Sequence, residues 1–170
     1  MSPRLVSLGG AAAAVRHALS RMETLARWIA PPVLRVALAL PFLRSGLTRW
    51  DGFLSLSPAT LFLFENQFKL HVFGGEYALA APDQLAWLTA CAEIALPALL
   101  LAGFATRIAA FGLLLMTAVI QLVFPDGWAN FHLYWAAMAM GIIAVGPGAI
   151  SIDHWIAKGT VRPGSPRAQR

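Results

Sequence analysis

Apolar residues fall into four blocks along the chain, 28–49, 84–104, 108–124 and 131–145, separated by polar stretches of unequal length. A helix that crosses a bilayer needs ~20 mostly apolar residues, within a range of about 17–25. The first two blocks reach that length, and the other two reach it with flanking residues such as Thr106 and Gly146. A buried helix of a water-soluble bundle would carry a polar position every third or fourth residue. Leu99-Leu100-Leu101 and Leu113-Leu114-Leu115 carry none. The pattern predicts an all-α protein, a four-span antiparallel transmembrane helical bundle. Its spans are 28–49, 84–104, 106–124 and 131–147, within a transmembrane domain of 28–147.

The flanking segments have patterns of their own. In 1–27, Val15, Leu19, Met22, Ala26 and Ile29 recur at helical spacing, with Arg16, Ser20, Glu23 and Arg27 off that stripe. This reads as an amphipathic segment on the cytoplasmic face. The apolar stretch 5–15 runs directly into Arg16 and His17, which is wrong for a cleavable signal. The outer loop, 50–83, holds Ser57-Pro58, a good helix start, followed by a stripe of Leu61, Phe64, Phe68 and Val72. Glu65 and Lys69 stand four apart, and Gly74-Gly75 supplies a stop. An interfacial helix over 58–72 is expected, with Pro31-Pro32 in the first turn of span one and Pro41 bending it. In 148–170, Ser151 caps a short helix through Lys158, and 159–170 reads as an unstructured tail.

Composition agrees with the membrane reading. The 170 residues are 58% hydrophobic and 12% charged, against about 25% charged in soluble domains. The net charge of +5 would suit nucleic acid, but its distribution does not. Arg4, Arg16, Arg21, Arg27, Lys158, Arg162, Arg167 and Arg170 lie at the chain ends, and Arg107 lies in the middle turn. Asp51, Glu65, Glu76 and Asp83 mark the outer loop, and Asp126 the last turn. Positive charge marks the cytoplasmic side. Both termini are therefore expected inside, and the bilayer rather than nucleic acid is the partner.

The candidate chemistry starts from Glu93, a carboxylate in the middle of an apolar span. Such a group faces the protein interior and has a partner. Arg44 and Arg35 of span one are the expected partners, and Arg49 reads as an interface anchor beside Trp50. Arg44, Arg49, Glu93, Gln121, His132 and Tyr134 all fall in the outer half, with Glu65 and His71 just above. They predict a polar pocket roofed by the 58–72 helix, with Glu93 at its floor. Two readings stay open: a structural ion pair that fixes helix register, or a ligand site. A quinone is the ligand considered, with His132 or Gln121 as donor and Glu93 coupling a proton. Haem would need paired histidines deep in two spans, whereas His71 and His132 lie outside and His17 and His154 inside. Copper could use His71, His132 and a methionine, but Met116, Met138 and Met140 lie deep. No metal centre is expected. Cys91, the one cysteine, excludes an internal disulfide relay and reads as a packing residue.

Four segments carry a family resemblance. They are Arg44-Ser-Gly-Leu-Thr-Arg-Trp-Asp-Gly-Phe53, Gly103-x-x-Thr-Arg107, Val123-Phe-Pro-Asp-Gly-Trp128 and Gly146-Pro-Gly-x-x-Ser-x-Asp153. In this order the chain resembles the DoxX family over roughly 28–155. The resemblance implies a small four-helix protein of the bacterial inner membrane. That family is named for a subunit associated with thiosulfate:quinone oxidoreduction, and some members are linked to oxidative-stress or redox complexes. The long aromatic outer loop is similar to a subset grouped with metal-binding or peptide-modifying operons. The implied function is an accessory subunit of a membrane redox or stress-response pathway. It would bind a quinone, a lipid or a partner protein in the outer half, beside a membrane or periplasmic partner or further copies of itself. The alternatives are a quinone-coupled oxidoreductase using Glu93, Arg44 and His132, and a small transporter or metal-handling accessory protein. Whether the chain is catalytic stays open.

Overall fold

The computed structural model describes the backbone of residues 3–160 and the side chains of residues 13–159. The Arg4 side chain lies outside the described residues, as do residues 161–170 of the expected 159–170 tail with Arg162, Arg167 and Arg170, whereas Gly159 and Thr160 belong to the last helix. The elements are α1 (Pro3–Thr48), β1 (Trp50–Gly52), β2 (Ser55–Leu56), α2 (Pro58–Phe62), β3 (Lys69–Val72), β4 (Gly75–Ala78), α3 (Pro82–Ala102), α4 (Thr106–Val123), α5 (Leu133–Val145) and α6 (Ile152–Thr160). One π-helical turn, Leu63–Gln67, extends α2, and another, Trp128–His132, leads into α5. Among the described residues, four helical stretches are long and apolar enough to cross a membrane: Ala13–Thr48, Pro82–Ala102, Thr106–Val123 and Pro125–Val145. Ile108, Phe111, Leu115, Val119 and Met140 lie exposed on their outer faces. So many large apolar side chains facing outward suit a hydrocarbon solvent and not water.

The helices meet along stripes of small residues. α1 packs on α3 and α5, α3 on α4, and α4 on α5. Among the described residues of α1 the buried positions are Pro31, Arg35, Leu38, Ala39, Phe42 and Gly46. On α3 they are Ala86, Ala90, Glu93, Pro97 and Leu100, alternating four and three apart. Such spacing keeps one seam of each helix toward its neighbour, and small residues let backbones approach where no hydrophobic effect drives association. Gly46 marks the closest approach. A Cβ there would lie 2.9 Å from the backbone carbon and oxygen of Glu93. Pro97 has no N–H to return to the Glu93 carbonyl, and that carbonyl oxygen lies against Gly46.

Two sequence expectations change here. Pro31 and Pro32 lie inside a helix that runs on without a break from the N-terminal segment, not in a first turn. The helix expected over 58–72 stops early: α2 and its π turn end at Gln67, and Lys69–Val72 pairs with Gly75–Ala78 as an antiparallel hairpin. Phe73 and Gly74, both at positive φ, form the two-residue turn, the loop that suits right-twisted strands. Gly74-Gly75 thus belongs to a hairpin and is no helix stop. Lys69 pairs across the strands with Glu76 at 3.2 Å, not with Glu65. Alternation of Lys69 and His71 with Leu70 and Val72 is a period of two, and it overrode the helical stripe. Ser57 does cap α2, accepting from the Thr60 amide at 3.2 Å.

At the end of the bundle opposite the loop, a latch joins three distant segments. The Asp153 carboxylate accepts from the Ala105 amide at 2.8 Å and the Thr106 amide at 2.9 Å. These are orphan donors at the start of α4, and a carboxylate suits the positive end of the helix dipole. The Asp153 amide donates back to the Gly103 carbonyl at 2.9 Å. Arg35, buried at 5% exposure, donates through Nη1 to the carbonyls of Pro147 and Ile150, 2.9 Å each. Gly103 has φ +69, and a Cβ on it would sit 2.6 Å from Arg35 Nη1, so only glycine fits between them.

Asp153 titrates below its ordinary 3.8. Burial is the largest single influence and pushes it up, but hydrogen bonds from Thr106 and Ala105 and the Arg35 charge together outweigh it. A carboxyl lowered by folding stabilises the fold above its unfolded pKa and loses that contribution as pH falls through the folded one. Asp153→Ala is expected to cost about 1–3 kcal/mol at neutral pH. The gap between variant and wild type should narrow as pH falls below ~4 and close only beneath the folded pKa, which lies lower still. Thermal unfolding in detergent across pH measures both, and a gap that persists in acid would contradict the assignment.

Candidate functional site

Glu93 is 2% exposed, so its charge needs neutralising within the protein. Its partner is Arg49. The guanidinium grips the carboxylate with two hydrogen bonds, Nε to Oε2 and Nη2 to Oε1, the latter at 2.8 Å. Nη2 also reaches the Ser45 hydroxyl at 3.5 Å. The fork geometry matches a planar carboxylate, as arginine allows and lysine does not. The expected partners, Arg44 and Arg35, are elsewhere. Arg44 has the right depth but an exposed face of α1. Arg35 shares the inward stripe but is 14 residues from Arg49, about 21 Å along the helix, and is held in the latch. Arg49 continues the stripe of Arg35, Leu38, Phe42 and Gly46, and that stripe selects it.

The same arginine anchors the outer segment. Its carbonyl accepts from the Ser57 amide at 2.8 Å and the Thr60 hydroxyl at 3.2 Å. Its guanidinium carbon lies 5.3 Å from the Phe64 ring centroid, within reach of a cation–π attraction. Phe64 packs edge-on against Phe68 at 4.9 Å, and Phe68 against Phe124 at 5.2 Å. This run of rings covers a cavity of about 320 Å³ among α1, α3, α4 and α5. Phe42, Met116, Ile120 and Trp135 wall it, and Ser45, Arg49, Thr89, Glu93 and His132 bring polar groups to it. The volume is at the small end for a ligand pocket, and the mostly apolar lining with few polar groups is typical of one.

His132 belongs to a hydrogen-bonded chain. Its Nδ1 lies 2.6 Å from Gln121 Oε1, and Gln121 Nε2 donates to the Pro125 carbonyl at 2.9 Å. The ring also packs on Trp135, with centroids 5.4 Å apart. Of the residues read as a pocket from sequence, Arg49, Glu93 and His132 line the cavity, and Gln121 touches it through His132. Arg44 and Tyr134 do not line it, and Tyr134 is 59% exposed. His71 stands in the hairpin, with Nδ1 3.3 Å from the Leu122 carbonyl. Among the described residues no three His, Cys, Asp or Glu side chains gather as metal ligands. Ser45, Thr89 and Met116 were missed. Ser45 and Thr89 stand four residues before Arg49 and Glu93, one helical turn away on the same face, a spacing visible in the sequence.

Arg49→Met is expected to lower stability by roughly 3–5 kcal/mol, because Glu93 stays buried without its counter-charge. Arg44→Met should change it by under about 0.5 kcal/mol. Adding Glu93→Leu to Arg49→Met should recover most of the loss, since the pair couples. Unfolding in detergent reads all three, and equal losses at Arg44 and Arg49 would refute the pairing.

The family model DoxX matches residues 30–126, more than half of the chain. No curated protein and no solved structure matches.

Proposed function

The chain belongs to the DoxX family of membrane proteins, and on that premise we propose that it is an accessory subunit of a membrane redox or stress-response pathway. The outer cavity takes the ring of a quinone-class molecule. The four spans form an antiparallel bundle in the bacterial inner membrane, with both termini cytoplasmic and α2 at the outer interface. Charge supports this orientation: Arg16, Arg21, Arg27 and Lys158 stand toward the chain ends, and Asp51, Glu65, Glu76 and Asp83 in the outer segment. A membrane or periplasmic partner, or further copies of the chain, would exchange electrons with the bound molecule.

One observation carries the reading. The cavity offers aromatic and aliphatic walls to a flat ring, and a free donor at its edge. Arg49 gives Nε and Nη2 to Glu93 and Ser45, and its Nη1 makes no hydrogen bond among the described residues. A carbonyl oxygen of a ring ligand could accept from Nη1 without disturbing the ion pair.

Titration of the purified protein with a short-chain ubiquinone analogue should give saturable quenching of tryptophan fluorescence, because Trp135 lines the cavity. Thr89→Phe, which fills the cavity from α3, should weaken binding at least ten-fold while leaving the helical content unchanged. Quenching as strong in Thr89→Phe as in the wild type would place the ligand elsewhere.

A further inference from the structure

The chain of polar contacts behind the cavity has only one consistent direction. The Pro125 carbonyl can only accept, so the Gln121 amide must turn its NH₂ toward it. The Gln121 oxygen is then fixed toward His132, and an amide oxygen also can only accept. His132 Nδ1 must therefore carry the hydrogen. In a neutral imidazole the remaining nitrogen, Nε2, is then a bare acceptor, and among the described residues it has no hydrogen-bond partner. The histidine is 4% exposed, and it is held in place. Gln121 grips one side and Trp135 packs on the ring. Gly127 is so close that a Cβ there would lie 2.5 Å from Cε1 and 2.8 Å from Nε2.

Arg49 and His132 both line the cavity, and if each turns its unused nitrogen to a ligand there, the two polar requirements are of opposite sense. Arg49 Nη1 asks for an acceptor, and either a carbonyl or a hydroxyl oxygen satisfies it. His132 Nε2 asks for a hydrogen, and only a hydroxyl satisfies it. A quinone would set a carbonyl lone pair against the Nε2 lone pair and leave both unsatisfied, which is costly in a dry site. We propose that His132, held with its hydrogen on Nδ1 by Gln121 and Pro125, makes this cavity select the hydroquinone form of its ligand over the quinone. Gln121 is the positioning residue: it touches no ligand, but it sets which ring nitrogen is bare. This inference rests on the reading of the cavity as a quinone-class site and specifies the redox state that site retains.

The test is isothermal titration of the full-length protein in detergent, under anaerobic conditions, with a short-chain ubiquinol and the matching ubiquinone as separate probes. The wild type should bind the quinol at least about ten-fold more tightly. His132→Phe should reduce that ratio to near one. Gln121→Glu places a carboxylate beside Nδ1, which favours the doubly protonated ring and turns Nε2 into a donor. That variant should shift the ratio toward the quinone, and it tests the tautomer should His132→Phe fail to fold. Equal wild-type affinities, or a ratio that neither variant moves, would overturn the selectivity and leave the site itself standing. Failure of both probes to bind the wild type would remove the site, and the selectivity with it.

Discussion

A carboxylate surrounded by hydrocarbon must be neutralised, and in this chain Arg49 does it. Much of the outer half follows from that one contact. The pair brings α1 against α3, where Gly46 removes every side-chain atom that would hold the backbones apart. The Arg49 carbonyl ties down the start of α2, and its guanidinium lies over Phe64. A single residue therefore fixes a helix crossing, a counter-charge and the cover of the cavity. A buried ion pair adds little net stability compared with apolar residues of the same shape. Its effect is on register: a slip by one residue along α1 would strand two charges in lipid.

The four family-like segments divide between the two ends of the molecule. Arg44 to Phe53 holds Ser45, Gly46 and Arg49 at the ion pair. Val123 to Trp128 supplies Phe124 to the cavity cover, the Pro125 carbonyl to Gln121 and the bare face of Gly127 to the His132 ring. Gly103 to Arg107 and Gly146 to Asp153 meet in the latch. The outer segments surround a space that could be filled. The inner ones are consumed in capping a helix and binding carbonyls, so their chemistry is accounted for by the fold.

Much of this was readable in the sequence. Span lengths follow from the thickness of a bilayer, and Glu93 announces a buried partner because no lipid can solvate it. The partner itself required the face of α1 as well as the depth. Arg44 satisfies depth alone, whereas the stripe Arg35, Leu38, Phe42, Gly46 continues to Arg49. The hairpin was obscured because Leu61, Phe64, Phe68 and Val72 fit a helical period across a real change of structure at Phe68. His132 was visible as a polar residue near the surface. Its hydrogen placement was not, because that depends on a carbonyl freed by the fold at Pro125. The latch was legible only as conspicuous glycines and an aspartate, since its contacts join residues as far apart as Arg35 and Ile150.

The latch also bears on how the protein is made. The carboxylate that satisfies the first amides of α4 is 47 residues further along the chain. While the ribosome is still synthesising α5, those amides have no partner, and the translocon or lipid headgroups must tolerate them. The latch end of α4 gains these two acceptors only once Asp153 has been made. Completion of the bundle is thereby coupled to arrival of the last helix, and a chain that stopped short of Asp153 would leave the first amides of α4 without this cap.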